Sequence, residues 1–228
     1  MTLENNKEVY GKFIMSFQGI LKDVTSHLSK PDDSTLSPKY VKYRTKTMET
    51  SPDTGMHWFY KGISLACLNQ HTEALRCYEE AIRIEFSLGK SAEIWIRKGN
   101  SKKKTGQFQD AIKFYDEAIR LEPDSAEAWT CKGDLLNETD HDQKALECYI
   151  EAIKVNPNYI YAWFSRAALF EKAGHHFEAL KCYDEIIKIK PDYPHGWIYK
   201  SLLCKGLKQY DESLQCITKA KSLLDTAA

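Results

Sequence analysis

The stretch IRKGNSKKKTGQ, residues 96–107, sets Arg97, Lys98, Lys102, Lys103 and Lys104 around two glycines, Gly99 and Gly106. Cations beside glycines can cradle a phosphate, the backbone N–H groups and a lysine closing on its oxygens. That loop requires Gly-x4-Gly-Lys-Ser/Thr after a buried strand. Here the glycine spacing is wrong, no Lys-Ser/Thr follows Gly106, and Trp95 opens a helical pattern. His175-His176 with Cys182 could offer metal ligands, but no second well-spaced pair accompanies them. No Gly-x-Ser-x-Gly elbow occurs, and no nucleophile has an evident base. The expectation is therefore a chain without catalytic residues, metal or cofactor.

Two further groups are chemically suggestive. PKYVKYRTK interleaves Lys39, Lys42, Arg44 and Lys46 with Tyr40 and Tyr43, a mixture that can hold single-stranded nucleic acid. The competing reading is a short helix opened by Ser37-Pro38, with serine as cap and proline in the first turn. Lysines plus arginines number 32 and acids 32, so the formal net charge is zero. Dedicated nucleic-acid binders are usually basic overall, because phosphate neutralisation supplies most of their affinity, and nucleic acid is not the expected partner. The seven cysteines contain no Cys-x-x-Cys pair; Cys77, Cys148, Cys182 and Cys216 recur at one periodic position. They read as small semi-buried residues in a reducing cytosol. No run approaches the ~20 apolar residues of a membrane span, and MTLENNKEVY lacks the basic and apolar regions of a secretory signal. A cytoplasmic protein that does not enter membranes is expected.

The elements that must position these groups are written in a period. The tryptophans stand at 58, 95, 129, 163 and 197, separated by 37, 34, 34 and 34 residues. Ala74, Ala111, Ala145, Ala179 and Ser213 keep the same separations, as do Tyr78, Tyr115, Tyr149, Tyr183 and Ile217. A fourth ladder runs Ala81, Ala118, Ala152, Ile186 and Ala220, and Pro123, Pro157 and Pro191 close the middle units. Within one unit, Ala145, Leu146, Tyr149, Ala152 and Ile153 mark an amphipathic helical stripe, which Asn156-Pro157 stops. Each unit is thus two helices. Gly62, Gly99, Gly133, Ala167 and Ser201, four residues after each tryptophan, let the two helices approach closely. One such hairpin cannot bury its apolar face alone, whereas a stack can.

These ladders closely resemble the tetratricopeptide repeat, which has Trp, Gly, Ala, an aromatic and Pro at these offsets. The resemblance covers 55–228 and implies an all-α fold, a right-handed α-solenoid of helix-turn-helix hairpins. Five repeats are expected at 55–88, 92–125, 126–159, 160–193 and 194–227. Departures from the pattern are Phe86 where the first repeat should end in proline, three extra residues near 87–90, and Ser213 and Ile217 in the fifth repeat. Before the array, Tyr10, Phe13, Ile14, Phe17, Ile20, Leu21, Val24 and Leu28 mark an amphipathic N-terminal helix over about 4–28. Residues 29–54 read as a linker.

What the resemblance implies for function is a non-catalytic scaffold that holds a protein or peptide partner in a concave groove. The groove would be lined by positions 2, 5, 9, 12 and 13 of each first helix. On this chain the candidates are Phe59, Ile63, Asn100, Lys103, Lys104, Asp134, Glu138, Tyr161, Phe164, Ile198 and Leu202, with both ends apolar and the centre charged. The carboxylate clamp that similar arrays use on heat-shock chaperone tails is absent. Position 5 reads Phe59, Ile96, Thr130, Phe164 and Ile198 instead of lysine, and only Asn100 fits at position 9. The N-terminal helix could occupy the groove in cis. A homo-oligomer is the alternative, through that helix or through Leu214, Ile217 and Leu224, an apolar face of the last helix with no capping helix after it. Lys102 stands where other repeats hold Leu65, Leu136, Phe170 and Cys204, which marks the second hairpin as the expected weak one.

Overall fold

The computed structural model describes residues 38–226, all helix and turn. The N-terminal helix expected over 4–28 lies outside the described residues. The elements are α1 (Pro38–Glu49), α2 (Gly55–Cys67), α3 (His71–Ile84), α4 (Ala92–Lys104), α5 (Phe108–Leu121), α6 (Ala126–Glu138), α7 (Asp142–Val155), α8 (Ile160–Lys172), α9 (His176–Ile189), α10 (Pro194–Gly206) and α11 (Tyr210–Asp225). The chain divides into two compact units, one ending at Ser165 and the other beginning at Arg166. In the first, the hairpins α2–α3, α4–α5 and α6–α7 stack through α3 on α4 and α5 on α6. In the second, α10 pairs with α11 and packs on α9.

The ladders have direct physical counterparts. Tyr78, Tyr115 and Tyr149 are fully buried, and their rings fill the space left by glycine. A Cβ built on Gly62, Gly99 or Gly133 would come within 2.6 Å of the facing ring. In the fifth repeat Ser201 and Ser213 are reciprocal partners: Ser201 Oγ donates to the Ser213 carbonyl (2.7 Å) and Ser213 Oγ to the Ser201 carbonyl (2.9 Å). The two departures from small apolar residues thus satisfy each other, as buried hydroxyls must.

Each tryptophan pins the turn before its own helix. The indole N–H donates to a carbonyl six residues back: Pro52, Gly89, Pro123, Pro157 and Pro191, at 2.8–3.1 Å. Gly89 takes this role in the second repeat because the three extra residues form a 3₁₀ turn, Phe86–Lys90. The insertion is absorbed locally. Every hairpin also turns through one residue at positive φ: Asn69, Gly106, Asp140, Gly174 and Lys208. Gly106 is therefore a left-handed turn residue, a conformation glycine adopts without Cβ strain.

Within 29–54, the stretch read as linker, the short helix expected from Ser37-Pro38 is present as α1, and it packs on α2. Tyr43 stacks on Tyr60 with ring centroids 6.1 Å apart and joins the apolar cluster of Phe59 and Ile63. His57 Nδ1 lies 3.1 Å from the Thr47 carbonyl, tying the end of α1 to the start of α2. The segment follows no repeat period, so its apolar contacts left no ladder to read.

Candidate binding face

Positions 2, 5, 9, 12 and 13 of each first helix are those expected to line a groove. Position 5 proves to be a packing seat in four of the five repeats. Phe59 is 5% exposed, Ile96 2%, Thr130 4% and Ile198 5%. Ile63, at position 9 of the first repeat, is 2% exposed. Phe59, Ile63 and Ile198 are buried within the hairpins. Ile198 packs with Ile217 and Ala220 inside the α10–α11 hairpin, and Leu214 and Leu224 lie partly buried against them. Of the stripe expected to drive self-association, Ile217 is wholly buried in its own hairpin, while Leu214 and Leu224 are only partly covered, Leu214 also lining an open recess on α11 with Gln215 and Thr218.

The other candidates remain at the surface. In the first unit Lys103 Nζ pairs with Glu138 at 2.6 Å, linking α4 to α6. Lys104 is exposed and pairs with no described residue. Asn100 Oδ1 accepts from the Tyr115 hydroxyl (2.8 Å) and Asp134 Oδ1 from Tyr149 (2.9 Å). Burial raises the Asp134 carboxyl above the ordinary carboxylate range, and hydrogen bonds from Ser165 and Tyr149 with the Lys103 charge only partly offset it. Tyr161 is well exposed beside Tyr159, and Phe164 is half-buried. In the second unit Leu202 is exposed.

Sequence reasoning missed Arg97 as a member of this face. Its guanidinium lies 3.2 Å from Glu93 and 4.0 Å from Glu127. Burial opposes its charge, but the two carboxylates outweigh burial and keep it protonated. Also missed was an ion-pair ladder between successive repeats. Lys98 reaches Glu79 (3.8 Å), Lys132 reaches Asp116 (2.6 Å) and Lys200 reaches Asp184 (2.8 Å). Each acid directly follows a ladder tyrosine, so the signal was present in the register. Lys98 also lies 5.0 Å over Trp95 and 4.7 Å over Phe114, which explains how an ammonium can sit 6% exposed. Lys102 pairs with Asp110 at 3.6 Å and with Gln107, so its unusual seat is turned outward to polar partners.

All seven cysteines are free thiols. Burial pushes Cys131 up to about 12 and Cys148, Cys182 and Cys204 up to about 11, so they stay protonated and unreactive at neutral pH. Among the described residues no group of three His, Cys, Asp or Glu could hold a metal, and no helix is long and apolar enough to cross a membrane.

Three tetratricopeptide-repeat family models match residues 92–125, 114–147 and 143–194. The chain is a tetratricopeptide-repeat protein. No curated protein matches it by sequence. Among solved structures, MamA is similar at 23% identity and a TM-score of 0.59, over 73% of this chain and 95% of that one. MamA 41-end from Desulfovibrio magneticus RS-1 is similar at 16% identity and a TM-score of 0.57, over 84% of this chain and 98% of that one. YrrB, described as a TPR protein with an unusual peptide-binding site, is similar at 18% identity and a TM-score of 0.51, over 78% and 91%. At these identities the likeness is one of fold. The tetratricopeptide-repeat architecture accounts for the ladders, and the surface this protein presents is set by the residues between them.

Proposed function

We propose that this protein is a non-catalytic interaction scaffold that holds an extended peptide or a helix of a partner protein on its first-helix face. The observation that carries the reading is the first unit's mixed surface. Asn100, Lys103, Lys104 and Glu138 sit on helices α4 and α6, with the exposed Tyr161 ring at the start of α8. Fixed helices present polar groups for register and an aromatic ring for contact, the combination that gives a peptide site both affinity and specificity. The buried apolar seats beneath keep this face rigid. Seven free thiols fit a reducing compartment such as the cytoplasm.

The test is selection of displayed random peptides on the full chain. Selected peptides should lose at least about tenfold in affinity, roughly 1.4 kcal/mol, on Lys103→Glu or Tyr161→Ser. They should keep it on Ile150→Ser, an exposed residue of α7. Peptides sensitive to Ile150→Ser but indifferent to the other two variants would place binding on the opposite face and overturn the reading.

A further inference from the structure

The tyrosine ladder differs between repeats in one respect that the groove reading does not use. Tyr115, Tyr149 and Tyr183 each donate their hydroxyl to a side-chain oxygen on the first helix of their own repeat: Asn100 Oδ1, Asp134 Oδ1 and Glu171 Oε1. Two of these three acceptors are carboxylates. In the first repeat the place of Asn100 and Asp134 is held by Ile63, and the place of Glu171 by Ala66. Neither can accept. Tyr78 is 0% exposed, and its hydroxyl has no hydrogen-bond partner among the described residues. Native structures rarely leave a buried hydroxyl unpaired.

Tyr78 lines a recess of about 330 Å³ between the first two repeats, whose apolar part comes from Ile63, Ala66 and Cys67. Ser101, also buried, lines the same recess with its hydroxyl unpartnered among the described residues. Arg97, Lys103 and Lys104 bring positive charge, and no Asp or Glu among the described residues is in the lining. Nearby acids are already committed: Glu93 and Glu127 to Arg97, Glu138 to Lys103. Burial and Lys104 push His71 down, so it adds no charge at neutral pH. Among the described residues, Lys104 is the lining cation left without an acidic partner. A single uncompensated charge with two unpaired hydroxyls against an apolar wall suits a monoanionic carboxylate better than a dianionic phosphate.

We propose that this recess binds the carboxylate of an acidic side chain of a partner peptide, its oxygens accepting from Tyr78 Oη and Ser101 Oγ while its charge faces Lys104. The peptide's carboxylate then completes in the first repeat the bond that Asn100, Asp134 and Glu171 complete in the others. The proposal rests on the reading that this face binds peptide, and names the side-chain chemistry it selects.

The test uses the ¹⁵N-labelled full chain titrated with the blocked peptide Ac-Ala-Leu-Glu-Leu-Ala-NH₂, its Gln counterpart, and inorganic phosphate. The Glu peptide should shift the amides of Ser101, Lys103 and Lys104 and bind at least about fivefold more tightly than the Gln peptide, the range of one charge-assisted hydrogen bond. Tyr78→Phe, which keeps the ring and so the fold, and Lys104→Ala should each remove that preference. An unchanged melting temperature verifies Tyr78→Phe as folded. Equal binding of the two peptides, or a Glu preference that survives Tyr78→Phe, overturns the proposal. Phosphate shifting these amides while the Glu peptide does not would make the recess an adventitious ion site only, and likewise overturns it. If both peptides bind alike elsewhere on α4 and α6, the groove reading stands without this recess. If neither binds, the recess proposal fails, while the groove reading is decided by the displayed-peptide selection.

Discussion

Asp134 shows how one side chain serves packing and surface together. It accepts the Tyr149 hydroxyl, as Asn100 accepts Tyr115, yet it carries a carboxyl whose folded value burial has raised. A carboxyl raised in the folded state contributes stability below its unfolded value of ~3.9, and loses it as pH rises through the elevated folded value. At neutral pH the wild-type chain has lost that contribution. Asp134→Asn keeps the accepting oxygen and removes the titration, so it should melt higher than wild type at neutral pH. A gain of up to about 3 °C is expected, corresponding to roughly 1 kcal/mol in a chain of this length. The gap should close as pH falls through the raised folded value, where wild-type Asp134 becomes protonated. A variant that melts lower at neutral pH would mean that attraction to Lys103 outweighs the cost of burial. The position was legible in the register, but the direction of its titration was not, because that depends on how deeply the hairpin buries it.

At the scale of elements, the hairpins followed directly from sequence because each ladder residue has a local task. Trp, Gly, Ala and Tyr recur at fixed spacing, and the structure puts an indole bond, a close approach and a buried ring at each. Helix α1 has no such signature. Its weight comes from non-repeating contacts, chiefly Tyr43 against Tyr60 and the cluster of Phe59 and Ile63. Tyr43→Ala should lower unfolding stability by about 2 kcal/mol, less than the ~3–5 kcal/mol of a fully buried aromatic because the ring is half-buried, while Tyr43→Phe stays near wild type. Urea unfolding measures both. Equal midpoints for all three chains would show that α1 does not contribute to the stability of the first repeat. The α11 stripe teaches the complementary point. Of Leu214, Ile217 and Leu224 at helical spacing, Ile217 is covered by α10 of the same hairpin, while Leu214 and Leu224 are covered only in part. Periodicity identifies a buried face without identifying what covers it.

For the whole molecule, the family was legible because the repeat is redundant: four ladders in phase survive individual departures such as Ser213 or Phe86. The proposed face was legible only in part. Family positions transferred from one repeat to the next assume that every repeat exposes the same seats, and Phe59, Ile63 and Ile198 are buried instead. The polar candidates stay at or near the surface because charged side chains such as Lys103, Lys104 and Glu138 are not buried without partners. Arg97 escaped notice because its position is not among those expected to line the groove, although its two carboxylate partners hold it there. The account's central claim is that partners lie on the first-helix face. Hydrogen exchange of the full chain, free and saturated with a peptide selected on it, tests this most directly. The account predicts added protection in α4 and α6 with α5 and α7 unchanged. Protection gained in α5 and α7 with none in α4 and α6 would contradict it.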